Sequence, residues 1–230
     1  MFKLDVIGYQ KIITRHSSHN NLRPIKDSRF KIQNPKLMNY LAHLYLSNND
    51  PHLMIGNFIA DHVKGSAIDS FSPEIIDGIK LHRMIDEFTD QHPIVEISKA
   101  RLRPHFRKYA TVIVDVFYDH YLAKNWSQYH HRSLVDFADD AYGLLNAHEH
   151  ILPERTKYML SYMVPQNWLY NYREVEGIER ALKGLSRRTK FESGMENSPK
   201  YLVEHYADFE SEFTQFFAEL RLFVSTVTAR

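Results

Sequence analysis

The segment PEIIDGIKLHRMIDEFTD at residues 73–90 repeats its apolar residues every three or four positions, as one face of an α-helix does. The apolar residues are Ile75, Ile76, Ile79, Met84, Ile85 and Phe88. Ser72 suits the N-cap position, and Pro73 suits the first helical position. The segment therefore predicts a long helix that buries one face.

The same periodicity continues on both sides of this segment. Helical patterns cover residues 38–46, 51–63, 94–106, 110–126, 133–150, 154–163, 175–186 and 199–227. Only 8 Gly and 9 Pro interrupt the 230 residues, and the alternating pattern of β-strands is nearly absent. We predict an all-α, single-domain helical bundle that spans residues 38–230.

Composition excludes several classes of protein. Hydrophobic residues make up 43% and charged residues 25%, as in folded globular domains. Cysteine is absent, which excludes disulfide scaffolds, Cys-zinc sites and thiol nucleophiles. No segment approaches the roughly 18 apolar residues of a membrane helix. We expect a soluble, cytoplasmic protein without a membrane partner.

The charge is divided unevenly along the chain. Residues 1–37 hold eight Lys or Arg and two acidic residues, whereas the remaining 193 hold 21 basic and 26 acidic residues. The first segment lacks the apolar core of a signal peptide. We expect it to be a flexible basic extension of a domain that starts at Met38. Its charge allows weak binding to a phosphate backbone, but a nucleic-acid partner is not expected.

Three of the predicted helices carry polar pairs one turn apart, inside apolar runs. The pairs are Asn57/Asp61, His82/Asp86 and Asp115/Asp119. Residues at i and i+4 share a helix face, and a buried carboxylate beside an imidazole needs compensation. A divalent cation provides it, and His and Asp ligands point to Mn²⁺, Mg²⁺, Fe²⁺ or a catalytic Zn²⁺. A single pair of this kind is usually a surface feature, so the prediction depends on all three.

Four blocks of the sequence resemble the acyl carrier protein phosphodiesterase family, in its order and spacing. The blocks are MNYLAHLYLS at 38–47, IGNFIADHVKG at 55–65, GIKLHRMIDEFTD at 78–90 and DVFYDHYLAKNW at 115–126. The resemblance implies a helical, Mn²⁺-dependent enzyme with an HD-phosphohydrolase-like fold. It also implies hydrolysis of the phosphodiester between 4′-phosphopantetheine and the serine of holo-acyl carrier protein, which gives the apo-protein.

The positions that match the family's motifs are His43, Asn57, Asp61, His82, Arg83, Asp86, Asp119 and His120. Their chemistry favours Asp61, His82, Asp86 and Asp119 as metal ligands. Arg83 or Lys64 would neutralise charge on the phosphoryl oxygens. His120 or His43 would protonate the departing serine oxygen. Taken alone, His43 fits a satisfied core histidine better than a metal ligand.

An acidic carrier protein requires basic residues at its contact site. One cluster comprises Lys99, Arg101, Arg103, Arg107 and Lys108; a second comprises Lys183, Arg187, Arg188 and Lys190. Both are also compatible with ordinary solvated helix faces. Asn57 is a further candidate for substrate contact. Trp168 and Tyr172 would line a groove for the pantetheine arm, and core packing explains these aromatic residues about as well.

Two other functions stay open at this point. One is an HD-like phosphohydrolase that acts on nucleotides or other small phosphoesters with the same metal chemistry. The other is a non-catalytic helical adaptor that uses the basic extension and patches. Metal content separates the adaptor from the enzymes, and a substrate panel separates the two enzymes.

Overall fold

Residues 39–229 of the computed structural model contain eleven α-helices joined by short 3₁₀ turns, and this range has no β-strand. The helices are α1 (Tyr40–Tyr45), α2 (Pro51–Ile59), α3 (Pro73–Gln91), α4 (Pro93–Phe106), α5 (Ala110–Lys124), α6 (Leu134–Ala147), α7 (Glu154–Met163), α8 (Trp168–Asn171), α9 (Val175–Ser186), α10 (Pro199–Glu204) and α11 (Tyr206–Thr228). The prediction of an all-α domain is confirmed. The basic extension predicted at 1–37 lies outside the described residues.

The polar residues in front of the helices determine where several of them begin. The Asp50 side chain accepts hydrogen bonds from the backbone N–H groups of His52 and Leu53 at the start of α2. The Ser133 hydroxyl accepts one from the N–H of Asp136 at the start of α6. These bonds satisfy N–H groups that have no partner within the helix.

Two helical segments differ from the sequence prediction. The segment at 199–227 forms two helices, because the backbone breaks at His205 (φ −114°, ψ 32°) between α10 and α11. Leu202 and Phe209, seven residues apart, are fully buried on either side of this break, so the apolar periodicity does not register it. The one-turn helix α8 is too short to produce a periodic pattern.

Helix α5 forms the centre of the domain. Thirteen of its fifteen residues are buried, and it contacts α1, α4, α9 and α11. A helix that is buried on all sides must be covered by others around its circumference. Polar groups on α5 are therefore held inside the protein. In the described range, no helix combines the length and the hydropathy that crossing a bilayer requires.

Helices α2 and α3 cross with their backbones in contact at Gly56 and Gly78. A Cβ atom built on either glycine would lie 2.9 Å from the Cα of the other, and one on Gly56 would lie 2.1 Å from the carbonyl oxygen of Ile75. Only glycine permits this approach. The crossing brings Asn57, next to Gly56, up to His82, one turn beyond Gly78.

Candidate metal centre

Three buried side chains converge beside the crossing of α2 and α3. His43 comes from α1, and His82 and Asp86 come from one face of α3; one ligand atom from each lies within 4.8 Å of the others. His43 Nε2 lies 3.4 Å from Asp86 Oδ1, and His82 Nε2 lies 3.3 Å from Asp86 Oδ2. The two imidazole rings stack with their centroids 4.1 Å apart. The rings therefore present both Nε2 atoms to one carboxylate.

Asn57 fixes the orientation of both rings from the opposite side. Its Nδ2 donates to the carbonyl oxygen of His43 and to Ser47 Oγ, which itself donates to that carbonyl. Asn57 Oδ1 must then accept, so His43 Nδ1, 2.6 Å away, carries a proton. His82 Nδ1 donates to the backbone oxygen of Asn57 at 2.8 Å. In the neutral form of each imidazole, the lone pair is therefore on Nε2.

The atoms that face one another have no hydrogen-bond partner within residues 39–229. They are His43 Nε2, His82 Nε2 and Asp86 Oδ1. Buried polar atoms rarely stay unsatisfied, because the cost of desolvating them is then uncompensated. Their separations of 3.3–3.4 Å exceed normal hydrogen-bond lengths. This arrangement suits several ligand atoms that share one cation.

Asp61 completes one side of this group. It lies on the 3₁₀ turn Ala60–His62 that follows α2, and its Oδ1 is 3.6 Å from His82 Nε2. Its side chain is 17% exposed, against 3% for His43 and 6% for His82. The Asp61 side is therefore the one that solvent reaches most easily.

The electrostatics of the group are those of a centre that attracts positive charge. Burial disfavours the charged form of His82, but the neighbouring Asp61 and Asp86 outweigh it and raise the pKa of His82 to about 9. Burial opposes ionisation of Asp86 as well, yet the two imidazoles lower its pKa below the usual range. Burial and His82 lower the pKa of His43. Without a metal ion, the proton on His82 therefore supplies the positive charge that a bound metal ion would supply.

The donor set fits a divalent metal ion. Two imidazole nitrogens and carboxylate oxygens suit Mn²⁺, Fe²⁺ or Zn²⁺, and hydrogen bonds from the second ring nitrogen commonly orient such ligands. Here Asn57 accepts those hydrogen bonds from both imidazoles. The buried group of His43, His82 and Asp86 could therefore hold a divalent metal.

The structure does not bring Asp119 into this group. Its two oxygens accept hydrogen bonds of 2.9 Å from the backbone N–H groups of Leu41 and Ala42, at the start of α1. Burial raises the pKa of Asp119 to about 8, and the two N–H donors oppose that shift. Both oxygens are occupied, so Asp119 caps α1 and holds the helix that carries His43. The sequence analysis predicted a metal ligand at Asp119.

Asp115, one turn earlier on α5, forms with Asp119 the third polar pair of the sequence. Its side chain is 1% exposed, and neither oxygen has a hydrogen-bond partner among the described residues. Burial and the nearby charge of Asp86 raise its pKa well above the ordinary range. Ionisation of Asp115 is therefore disfavoured inside the domain.

The other predicted catalytic residues are either engaged by other segments or exposed. His120 is buried, with Nδ1 2.8 Å from the carbonyl oxygen of Tyr172 and Nε2 2.8 Å from the hydroxyl of Tyr206. Both nitrogens are engaged, so His120 joins α5 to neighbouring segments and has no free nitrogen for a leaving group. Arg83 and Lys64 are exposed.

Most residues predicted to contact a partner are occupied within the protein. Arg101 forms a two-pronged ion pair with the buried Glu212, and Arg103 forms one with Glu96. Asn57 is 0% exposed and Tyr172 is 2% exposed, so neither offers a surface. Trp168 is half-buried.

Of the first basic cluster, Arg107 is exposed and forms no ion pair in the described range. Lys99 is paired with Asp90, and Lys108 lies over the rings of Tyr109 and Phe191. Three of its five cations, Lys99, Arg101 and Arg103, are thus paired with carboxylates of the same chain.

The fold and the centre together define an all-α protein with a buried His–carboxylate group suited to a divalent metal. The chain belongs to the acyl carrier protein phosphodiesterase family, whose model matches residues 38–220. The family resemblance in the sequence is thereby confirmed.

Its relatives include the acyl carrier protein phosphodiesterase of Photorhabdus laumondii, 33% identical over 78% of this chain and 91% of the relative. The same-named proteins of Yersinia enterocolitica and Enterobacter sp. are each 33% identical, covering 78% and 80% of this chain and 94% and 95% of the relatives. No solved structure gives a significant match to the chain.

Proposed function

We propose that this protein is a divalent-metal-dependent phosphodiesterase. It hydrolyses the bond between 4′-phosphopantetheine and the serine of holo-acyl carrier protein, and releases the apo-protein. The observation that carries the proposal is the convergence of two free Nε2 atoms and Asp86 in a member of this family. The cytoplasm is the proposed location.

In this proposal His43, His82 and Asp86 hold the metal, and Asp61 lies on its open side. Mn²⁺ is the proposed ion, with Mg²⁺ and Fe²⁺ as the alternatives, because imidazole and carboxylate together accept all three. A divalent ion stabilises charge on phosphoryl oxygens and makes water a stronger nucleophile near neutral pH.

The chain's own residues prepare this chemistry. Asn57 keeps the protons of both imidazoles on Nδ1, so that the Nε2 lone pairs stay directed at Asp86. Asp119 fixes the first turn of α1, and thereby the position of His43. Burial and the charge of Asp86 disfavour ionisation of Asp115, which limits repulsion between the two carboxyl groups. These contacts hold the ligands before any ion binds, which lowers the cost of assembling the site.

The carrier protein is the proposed partner, and three residues of the second basic cluster, Lys183, Arg187 and Lys190, are the proposed contact for its acidic surface. Lys183 and Arg187 are exposed at the end of α9, and Lys190 follows in the next turn. None of the three forms an ion pair within residues 39–229. Free charges of this kind steer an oppositely charged partner and fix its orientation.

The test is incubation of the purified protein with holo-acyl carrier protein and Mn²⁺, followed by mass spectrometry of the carrier. We expect the carrier to lose the mass of phosphopantetheine, and we expect a chelator to stop the reaction. An unchanged carrier mass would refute the proposal. Hydrolysis of free nucleotides in a parallel panel would support the general phosphohydrolase instead.

A further inference from the structure

Two half-buried arginines, Arg155 and Arg188, carry charges that act on Tyr40, which lies one turn before the metal-centre residue His43. Arg155 is the second residue of α7, and Arg188 follows the end of α9. Neither forms an ion pair with any carboxylate in the described part of the chain. They come from separate segments, so only the fold brings them together.

A direct contact ties α7 to the turn that carries Asp61. His62 Nδ1 lies 2.7 Å from the hydroxyl of Thr156, which is fully buried. Arg155 is the neighbour of Thr156, and Asp61 is the neighbour of His62. Arg155 therefore lies on the side of the centre that Asp61 occupies.

Arg188 is held against an aromatic ring. Its guanidinium carbon lies 5.6 Å from the centre of the Trp168 ring, a cation–π contact. Burial raises the pKa of Tyr40, Asp61 raises it further, and Arg188 and Arg155 both lower it. Tyr40 lies on α1, one turn before His43. Both guanidinium groups therefore act on one hydroxyl at the edge of the metal centre.

An unpaired guanidinium that is partly withdrawn from water is unfavourable unless it serves an anion. Arg101 is compensated within the protein, because both of its terminal nitrogens donate hydrogen bonds to Glu212. Arg155 and Arg188 have no such carboxylate, yet they flank a centre suited to a phosphodiester. The planar guanidinium group matches two oxygens of a phosphoryl group.

We propose that Arg155 and Arg188 bind the non-bridging phosphoryl oxygens of the substrate. The inference rests on the proposed function, because it requires a phosphodiester at the metal centre. The two side chains would bind the phosphodiester and stabilise the additional charge on its oxygens as the bond breaks. They replace Arg83 and Lys64, which the sequence suggested for this role and which are exposed.

The test compares Arg155→Met and Arg188→Met with Arg180→Met, an exposed arginine on α9. Calorimetry measures the binding of inorganic phosphate to the Mn²⁺-loaded proteins, and steady-state assays measure kcat and KM on holo-acyl carrier protein. We expect each of the first two variants to bind phosphate about tenfold more weakly and to lower kcat about 100-fold. Mn²⁺ affinity and the Arg180→Met protein should stay at the wild-type level.

The conservative variants Arg155→Lys and Arg188→Lys keep the charge without the two-pronged geometry, so intermediate effects are expected even if a Met variant does not fold. Wild-type phosphate binding and kcat in the arginine variants would overturn the proposal. An increase in KM for the carrier alone would also overturn it, because it would assign the arginines to protein contacts. Loss of phosphate binding in a protein that never cleaves the carrier would support the arginine site and refute the proposed function.

Discussion

The interior of this domain contains two charged clusters, one around Asp86 and one around Glu212. In the Glu212 cluster the carboxylate accepts hydrogen bonds from both terminal nitrogens of Arg101 and from the hydroxyl of Ser98. The Ser98 hydroxyl is also hydrogen-bonded to the hydroxyl of Tyr118. In the Asp86 cluster, two imidazole nitrogens face the carboxylate at distances too long for hydrogen bonds, and no partner within residues 39–229 satisfies them.

The difference separates structural from functional polar groups. The Glu212 cluster joins α4, α5 and α11 and satisfies its own charges, so it leaves nothing for a ligand. Asn57 orients the two imidazoles of the Asp86 cluster, but the unsatisfied atoms of this cluster face one point. Burial alone therefore does not mark a site; unsatisfied atoms that converge do.

The largest effect is expected from Asp86→Ala. We expect Mn²⁺ binding to be lost and turnover to fall more than about 100-fold, because the variant removes the carboxylate that both imidazoles face. Asp77→Ala, at an exposed position on the same helix, is the control and should keep both properties. The measurements are calorimetry and the mass assay. Full occupancy and wild-type turnover in Asp86→Ala would remove Asp86 from the centre.

The next effect is expected from Glu212→Ala. It should lower the free energy of unfolding by about 3 kcal/mol, because Arg101 is left largely buried without its carboxylate. Denaturant titration measures this change, and Mn²⁺ affinity should stay constant. Glu96→Ala breaks the matching but exposed pair with Arg103 and should change stability within experimental error. Equal losses in the two variants would contradict the structural role given to the buried cluster.

A smaller effect is expected from Asn57→Ala, which leaves every ligand in place. The variant frees both imidazoles to rotate and to change the nitrogen that carries the proton. We expect Mn²⁺ affinity to fall about 10- to 100-fold, as when other groups that orient metal ligands are removed. Asn125→Ala, which removes a hydrogen bond to Glu210 elsewhere, is the control. Unchanged affinity would show that Asn57 does not orient the rings.

The smallest effect concerns pH. His82 has a pKa of about 9 in the metal-free protein, above its ordinary 6.5. Its protonation therefore stabilises the fold fully below pH 6.5, and this contribution is lost as pH rises through about 9. Mn²⁺ must displace that proton, so its affinity should rise from pH 7 to 9. Calorimetry in buffers of different ionisation enthalpy should show about one proton released, and His150→Gln should not alter this; zero release would contradict it.

Much of the fold could be predicted from the sequence because helical periodicity is local. The i,i+4 spacing also brought His82 and Asp86 together correctly, since both lie on one face of α3. The pair Asn57/Asp61 also pointed to Asp61, and the crossing of α2 with α3 at Gly56 and Gly78 brings it to His82. Local spacing thus predicted Asp61, His82 and Asp86.

The remainder depends on which atoms lie opposite one another. His43 could be either a core histidine or a ligand until its Nε2 was seen facing Asp86. Asp119 has the spacing of a ligand, but the start of α1 lies above it and its N–H groups occupy both oxygens. Arg101 has the pattern of a surface cation, yet Glu212 lies 111 positions away in the chain. No local pattern contains these pairings.

The contact between Gly56 and Gly78 has a consequence for the two imidazoles. The two helix axes lie so close that any side chain at either glycine would force them apart. Asn57 would then move away from His82, and the imidazoles would lose their common support. Two residues that lack side chains therefore keep the histidine pair in register.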